Sequence, residues 1–391
     1  MAGIYLHIPF CRSRCIYCDF YSTTQLEWRQ RYVDALCREM AIRRFFIPES
    51  MGIDTVYFGG GTPSQLTVEQ LKQLFIYINK VYGSQLSNHQ DGKGKSPEIT
   101  IEVNPDDMTE EFAKALKELP VNRVSMGAQT FDDVRLRFLK RRHTAEQVRT
   151  AVKRLREAGI RNISIDLMYG FPGETFEQWE ADIEAALALD VEHLSAYCLM
   201  IEEGTPLHKM FTDDSLLFTD NYPDEEMERQ MYEVLIDRLE AAGYEHYEIS
   251  NFARPGFRSR HNSNYWNGTP YIGLGAAAHS YDIRSRSWNV ADIRQYIEGM
   301  ERGERIFEEE LLDDDTRYND IVTVALRTKE GIDLNALSEK HREYCMKNAR
   351  RYLNDGLLEL STIRGAESPT LHLTRRGLFV SDMVMSDLMM V

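Results

Sequence analysis

The sequence predicts an α/β fold, a partial, open (β/α)6 barrel followed by a small α+β domain with a winged-helix-like order of elements. Three observations predict it. From residue 4 to about 199, short β-branched or aromatic runs alternate with helical patterns, the sequence form of repeated βα units on a parallel sheet. Three helical segments open with a capping box, Thr67 to Gln70, Thr144 to Gln147 and Thr175 to Gln178, in which Thr and Gln satisfy backbone N–H groups that a helix start leaves unpaired. The length, 391 residues, has room for one barrel-sized domain and a smaller one.

In order, strands are expected over 4–7, 55–58, 98–103, 123–128, 162–167 and 193–199. Six units are too few for a closed eight-strand barrel, hence the open one. The polar, glycine-containing stretch 83–96 reads as a surface insertion without chemistry. An amphipathic helix is expected over 223–242, and the acids of 308–315 (EEELLDDD) mark a solvated boundary. Beyond it come helices over 316–327 and 333–353, strand-like pieces at 357–360 and 371–373, and a last helix capped by Thr374. Met383, Met385, Met389 and Met390 are expected to pack on the core of that domain. The expected divisions are 1–242, a connecting region 243–307, and 308–391.

The net charge of −16 opposes attraction to phosphate backbones, so no nucleic-acid partner is expected. No run approaches the ~18 apolar residues of a membrane span. Six cysteines without a framework pattern, and a start that runs straight into a strand-like segment, predict a cytoplasmic, reduced protein.

Half of the cysteines, Cys11, Cys15 and Cys18, lie in one short loop at the spacing C-x3-C-x2-C. Three thiolates so spaced suit three corners of a [4Fe–4S] cube and leave its fourth iron without a protein ligand, where a metal centre does chemistry. A zinc site is the competing reading; it usually needs a second Cys or His pair at characteristic spacing, and the sequence offers none. In parallel α/β proteins the site lies at the carboxyl ends of the strands. There the sequence places the cysteine loop, the glycines of Gly59-Gly60-Gly61-Thr62-Pro63-Ser64, then Glu102 and Asn104, Gln129, and Asp166. Glycines there mark either a tight turn or a close approach of backbone to ligand. Glu102 reads equally as a solvated strand-end charge, and Arg141 as part of a solvated basic turn.

The cysteine spacing resembles the signature of the radical S-adenosylmethionine (SAM) superfamily, which implies the same barrel, a [4Fe–4S] cluster on the three cysteines, and SAM at its open iron. The resemblance implies SAM contacts at Gly60, Gly61, Thr62, Glu102, Tyr5, Tyr17, Gln129, Arg141 and Asp166, with Tyr17 near the adenine. Cys37, Cys198 and Cys345 read as buried small apolar residues, Cys198 beside the SAM cavity; His7 and His279 read as structural or pocket-lining.

The segments GGGTPS, ENP, SMGAQ, SIDLMYGFPGET and YEISNFA extend the likeness over nearly the whole chain and resemble the HemN/HemW group. Three features point to its haem-chaperone branch. Phe20 stands where the coproporphyrinogen-oxidising branch has a fourth cysteine, and only ten residues precede Cys11, too few to cover a barrel mouth. The stretch His261-Asn262-Ser263-Asn264-Tyr265-Trp266 matches a motif, HNxxYW, associated with haem in that branch. The resemblance implies His261, Tyr265 and Trp266 as haem contacts, an imidazole ligand and two flat aromatic surfaces. Arg254, Arg258 and Arg260 are candidates for the propionates, although a loop histidine is usually structural. The expected partners are haem and a haem-acceptor protein, soluble or membrane-bound; the oligomeric state is left open between monomer and homodimer. The alternative function is oxygen-independent oxidation of coproporphyrinogen III to protoporphyrinogen IX by radical SAM decarboxylation.

Overall fold

Runs buried on both faces make parallel strands, and the six expected ones form in the computed structural model, which describes residues 1–87, 96–212, 223–361 and 369–390. They are β1 (Ala2–Ile8), β2 (Ile53–Gly60), β3 (Glu98–Val103), β4 (Arg123–Gln129), β5 (Asn162–Tyr169) and β6 (His193–Cys198), each parallel to the next. Between them run α1 (Arg29–Ile42), α2 (Val68–Ser87), α3 (Glu110–Glu118), α4 (Asp133–Phe138), α5 (Ala145–Glu157) and α6 (Phe176–Leu187). All three capping boxes form, the Thr side chain accepting from the Gln backbone and the Gln side chain from the Thr backbone. Of the expected insertion 83–96, the first residues continue α2, and 88–95 lie outside the described residues.

The sheet does not stop at six strands. After α7 (Pro206–Thr212) and α8 (Glu225–Ala241), β7 (Glu245–Glu248) and β8 (Asn251–Ala253) add an antiparallel wing beyond β6. Following α9 (Arg260–Trp266), β9 (Tyr271–Leu274) lies parallel to β1 as a seventh parallel strand. A second antiparallel wing follows, β10 (His279–Tyr281), β11 (Ser285–Asn289) and, after α10 (Ile293–Arg302), β12 (Phe307–Leu311). These strands are three to five residues long, too short to show a period. The acidic stretch expected to be a boundary is thus in part a sheet edge. All five residues of β12 are exposed, and charge on an edge discourages pairing with another chain.

The barrel core includes Ile272, Leu274, Ile293, Tyr296 and Met300, so residues well beyond 242 share it. A second core holds α11 (Asp314–Ala325), β13 (Ile332–Asp333), α12 (Glu339–Asn354), β14 (Leu358–Ser361), β15 (Thr370–Leu373), α13 (Arg375–Leu378) and α14 (Ser381–Leu388), with the antiparallel order β13-β15-β14. Thr374 caps α13 as expected, but the expected last helix is interrupted at Phe379 and Val380 and resumes as α14. Met385 is buried and Met389 and Met390 pack on this core, whereas Met383 is exposed.

One buried carboxylate ties the added strands to the barrel. Glu39 of α1, fully buried, accepts from Arg43 Nη1 (3.1 Å), Asn289 Nδ2 (2.8 Å), Gly275 N (2.8 Å) and Tyr296 Oη (2.7 Å). Truncating it leaves the buried Arg43 charge without its carboxylate and removes the acceptor of the Gly275 N–H and the Tyr296 hydroxyl. Glu39→Ala is therefore expected to cost about 3–5 kcal/mol in denaturant unfolding; a loss below ~1 kcal/mol would show that the clamp is dispensable.

Candidate functional site

Because the strands run parallel, their carboxyl ends meet on one rim, and the loop after β1 carries the three cysteines there. Both ends of that loop are tied down: Thr23 N donates to Pro9 O (2.7 Å) and Cys11 N to Thr23 O (2.9 Å). Ile16, between the cysteines, is the buried anchor of a small cluster with Leu139, Met168, Phe171, Leu199 and Leu207. Its backbone donates to Leu139 O (3.3 Å) and accepts from Leu207 N (2.9 Å). The cysteines on either side stay partly exposed and unbridged. Cys11 Sγ lies 3.5 Å from Thr62 Oγ1, and Arg141 Nη1 donates to Cys15 Sγ at 3.6 Å. Burial pushes the Cys11 thiol up and that of Cys18 to about 11, so cluster assembly must displace protons from them. Among the described residues no three His, Cys, Asp or Glu side chains converge as the ligands of a single ion do. A cube differs, taking one thiolate per iron, and three open thiols on one anchored loop fit it.

The glycines after β2 are required by close approach. A Cβ on Gly61 would lie 2.7 Å from the Pro9 carbonyl carbon, and one on Gly60, whose φ is +108°, 2.5 Å from His7 Nδ1. Glu102, at the end of β3, accepts from Tyr57 Oη (2.7 Å) and Gly60 N (3.1 Å). Arg141 crosses the rim, donating through Nη2 to Asn104 Oδ1 and Gly127 O, each at 2.7 Å, while Asn104 Nδ2 donates to Thr62 Oγ1 (3.2 Å). It is held in a network, not solvated in a turn. Gly127 leaves room for this: a Cβ there would fall 2.5 Å from Gln129 Nε2 and 3.2 Å from Arg141 Nη2. A bulge between Gly127 and Gln129, with Gln129 at φ 69°, ends β4. Burial lifts the Glu102 carboxyl to about 7, against the opposing pull of the Tyr57 hydrogen bond. Asp166 rises to about 6 for the same reason, with Arg123 pulling it down.

These groups line one cleft of about 1640 Å³, which receives Cys11, Cys15, Cys18, Tyr17, Gly60, Gly61, Thr62, Glu102, Gln129, Arg141 and Asp166. Cys198 lines it as well, while Cys37 and Cys345 are buried elsewhere. Tyr5 lies deeper, lining a second chamber of about 290 Å³ inside the barrel. The structure does not bring the HNxxYW residues to this rim. His261 sits on α9 at the amino-terminal ends of β1 to β3, 1% exposed, with Nδ1 2.8 Å from Thr55 Oγ1 and Nε2 2.9 Å from Tyr265 Oη. Both ring nitrogens are thus engaged, and this conformation offers iron no open position there. Trp266 is covered by the Arg327 guanidinium, 5.1 Å from its ring centre. Arg254, Arg258 and Arg260 are already paired, with Asp190, with Glu245 and Glu330, and with Asp54. His7 bridges Tyr21 O and Tyr5 Oη, and His279 is exposed and stacked on Trp288.

Asn104, which the sequence already places at the rim, is by its two side-chain hydrogen bonds as central there as Arg141. The cleft also holds residues that the sequence reading does not select. Tyr197, next to last in β6, and Met200, just after it, are exposed at the mouth with Phe20, where the strand-end rule points to them. Glu228 and Arg229 of α8, Arg327 and Phe379 come from beyond the sixth unit, and no local pattern marks them.

The family model described as Radical SAM superfamily matches residues 5–186. The heme chaperone HemW of Bacillus subtilis (strain 168) is 37% identical over 381 residues, 96% of each chain. The chain belongs to the HemW family. The heme chaperone HemW of Mycobacterium tuberculosis (strain H37Rv) is 33% identical over 99% of this chain and 94% of its own. Among solved structures, coproporphyrinogen III oxidase (HemN) from Escherichia coli, a radical SAM enzyme, superposes with a TM-score of 0.81 at 22% identity, covering 99% of this chain and 89% of its own, a likeness of fold. Membership of the radical SAM superfamily implies a [4Fe–4S] cluster and SAM.

A pH measurement checks the electrostatics of the rim. In protein free of cofactors the Glu102 carboxyl is expected to titrate near 7, so its protonated C=O infrared band should fade as pH rises through neutrality and be missing in Glu102→Gln. Fading in the ordinary range near ~4 would contradict the buried placement.

Proposed function

We propose that the chain is a haem chaperone of the cytoplasm, which takes up haem and passes it to an acceptor haem protein, with a [4Fe–4S] cluster on Cys11, Cys15 and Cys18 and SAM beside it. The observation that carries this is the match along the whole chain to proteins named heme chaperone HemW. Phe20, exposed at the mouth in the position of a fourth cysteine, agrees with it. No helix among the described residues is long and apolar enough to cross a membrane, so delivery to a membrane-bound acceptor would proceed by docking.

The rim residues divide the work by charge and shape. The Glu102 carboxylate accepts the ammonium of SAM, and the Arg141 guanidinium faces its carboxylate. Gly60 and Gly61 let backbone approach; Thr62, Gln129 and Asp166 supply hydrogen-bond partners around the ligand, and Tyr17 a flat surface. Tyr5, below the rim, acts on the same site through the barrel interior. The cluster, when bound, supplies an electron and a coordination site to SAM. Haem contacts from His261, Tyr265 and Trp266 require α9 to release its hydrogen bonds. The exposed Phe20, Tyr197 and Met200 offer a porphyrin face apolar surface without such a step. Oxidation of coproporphyrinogen III is the second reading, resting on the HemN-like fold alone.

Anaerobically reconstituted protein, titrated with haem and followed by absorption, is expected to saturate at one equivalent and, given SAM and a reductant, to form no protoporphyrinogen from coproporphyrinogen III. Turnover without saturable haem binding would overturn the chaperone reading in favour of the oxidase.

A further inference from the structure

The HNxxYW segment forms α9, which closes the barrel at the end opposite the cysteines. Arg260 N and His261 N both donate to the carboxylate of Glu98, the first residue of β3, at 3.1 Å, and Ser259 caps the helix by accepting from Asn262 N. From this plug the His261 ring projects inward. It stacks on Tyr57, ring centres 4.9 Å apart and planes at 23°, with Tyr5 beyond at 6.3 Å. Thr55 and Tyr265 hold its two nitrogens, and a neutral imidazole, one donor and one acceptor, suits two hydroxyls that can each play either part. Burial, with Arg123 adding to it, lowers the ring's pKa to about 3, so the neutral form is the one present.

Tyr57 carries the contact upward. Its hydroxyl donates to Glu102 Oε1 at 2.7 Å, and Gly60 N holds the other oxygen. Gly59 allows this fit, because a Cβ there would lie 2.8 Å from Tyr57 Cε1 and 3.1 Å from Glu102 Oε1. The surroundings are not solid: Tyr57, Glu102 and His261 all border the 290 Å³ interior chamber. A tyrosine beside a chamber of that size has space to swing, so its rotamer depends on the rings stacked against it, His261 at 4.9 Å and, more distantly, Tyr5 at 6.2 Å.

We infer that His261 is a positioning residue for the SAM site, holding the Tyr57 ring so that its hydroxyl orients the Glu102 carboxylate at the rim. This rests on the reading of Glu102 as the SAM ammonium contact. It gives the motif a task at the amino end of the barrel that calls for no haem there.

The test is the affinity of cluster-reconstituted protein for SAM, by equilibrium dialysis, with iron content and thermal midpoint recorded for each variant. His261→Ala is expected to weaken SAM roughly 5- to 10-fold, the worth of one aromatic stack, with iron content unchanged. His261→Phe, which restores a flat ring without the hydrogen bonds, should recover most of that loss, which a merely structural defect would not. Tyr57→Phe should weaken SAM to a similar extent, and adding His261→Ala to it should cost little more. If Glu102→Gln leaves SAM affinity unchanged, the reading of Glu102 fails. If Glu102→Gln weakens SAM while folded His261→Ala binds it as the parent does, the positioning role is overturned. Should His261→Ala not fold, Tyr57→Phe decides, and unchanged affinity there overturns the inference equally.

Discussion

The parallel direction of seven strands is the constraint on which everything else depends. It brings the carboxyl ends of β9 and β1 to β6 to one rim, so residues far apart in sequence meet without any long excursion of chain. Arg141 shows the result. From the turn after α4 it reaches Cys15 in the loop after β1, Asn104 after β3 and the Gly127 carbonyl in β4. One guanidinium thereby fixes three loops relative to each other.

The two ends of the barrel are built for different tasks. At the rim, carboxyls and thiols are partly open and several are held away from their ordinary pKa by burial, a poised state that a cationic ligand or a metal cluster would discharge. At the other end α9 is a sealed plug in which each polar atom of the His261 ring has a partner. Exposed apolar surface, from Phe20, Tyr197 and Met200, lies near the cysteine loop and not at the plug, which is where the proposed chaperone role would have haem held open to an acceptor.

Much of this was legible in the sequence because it is local. The cysteine spacing lies within eight residues, the capping boxes within four, and strand-end glycines and acids follow directly from the βα pattern. The seventh parallel strand was not legible, since Tyr271–Leu274 is four residues with a glycine among them and pairs with the very start of the chain. Ile16 gave no sign of being the anchor of the cysteine loop, since a single apolar residue between polar ones has no period. The HNxxYW stretch shows the opposite failure. The family resemblance implies an imidazole ligand and two aromatic surfaces there, yet the partners that close the stretch, Thr55, Glu98 and Arg327, come from distant segments and can be found only in three dimensions.

The most direct test of the central claim, that the rim joins a cluster on Cys11, Cys15 and Cys18 to SAM, is electron–nuclear double resonance on the reduced, reconstituted protein with the amino nitrogen of SAM isotopically labelled. The account predicts a hyperfine coupling from that nitrogen to the cluster, lost when any one of the three cysteines is replaced by serine. A reduced cluster whose spectrum is untouched by saturating SAM would contradict it.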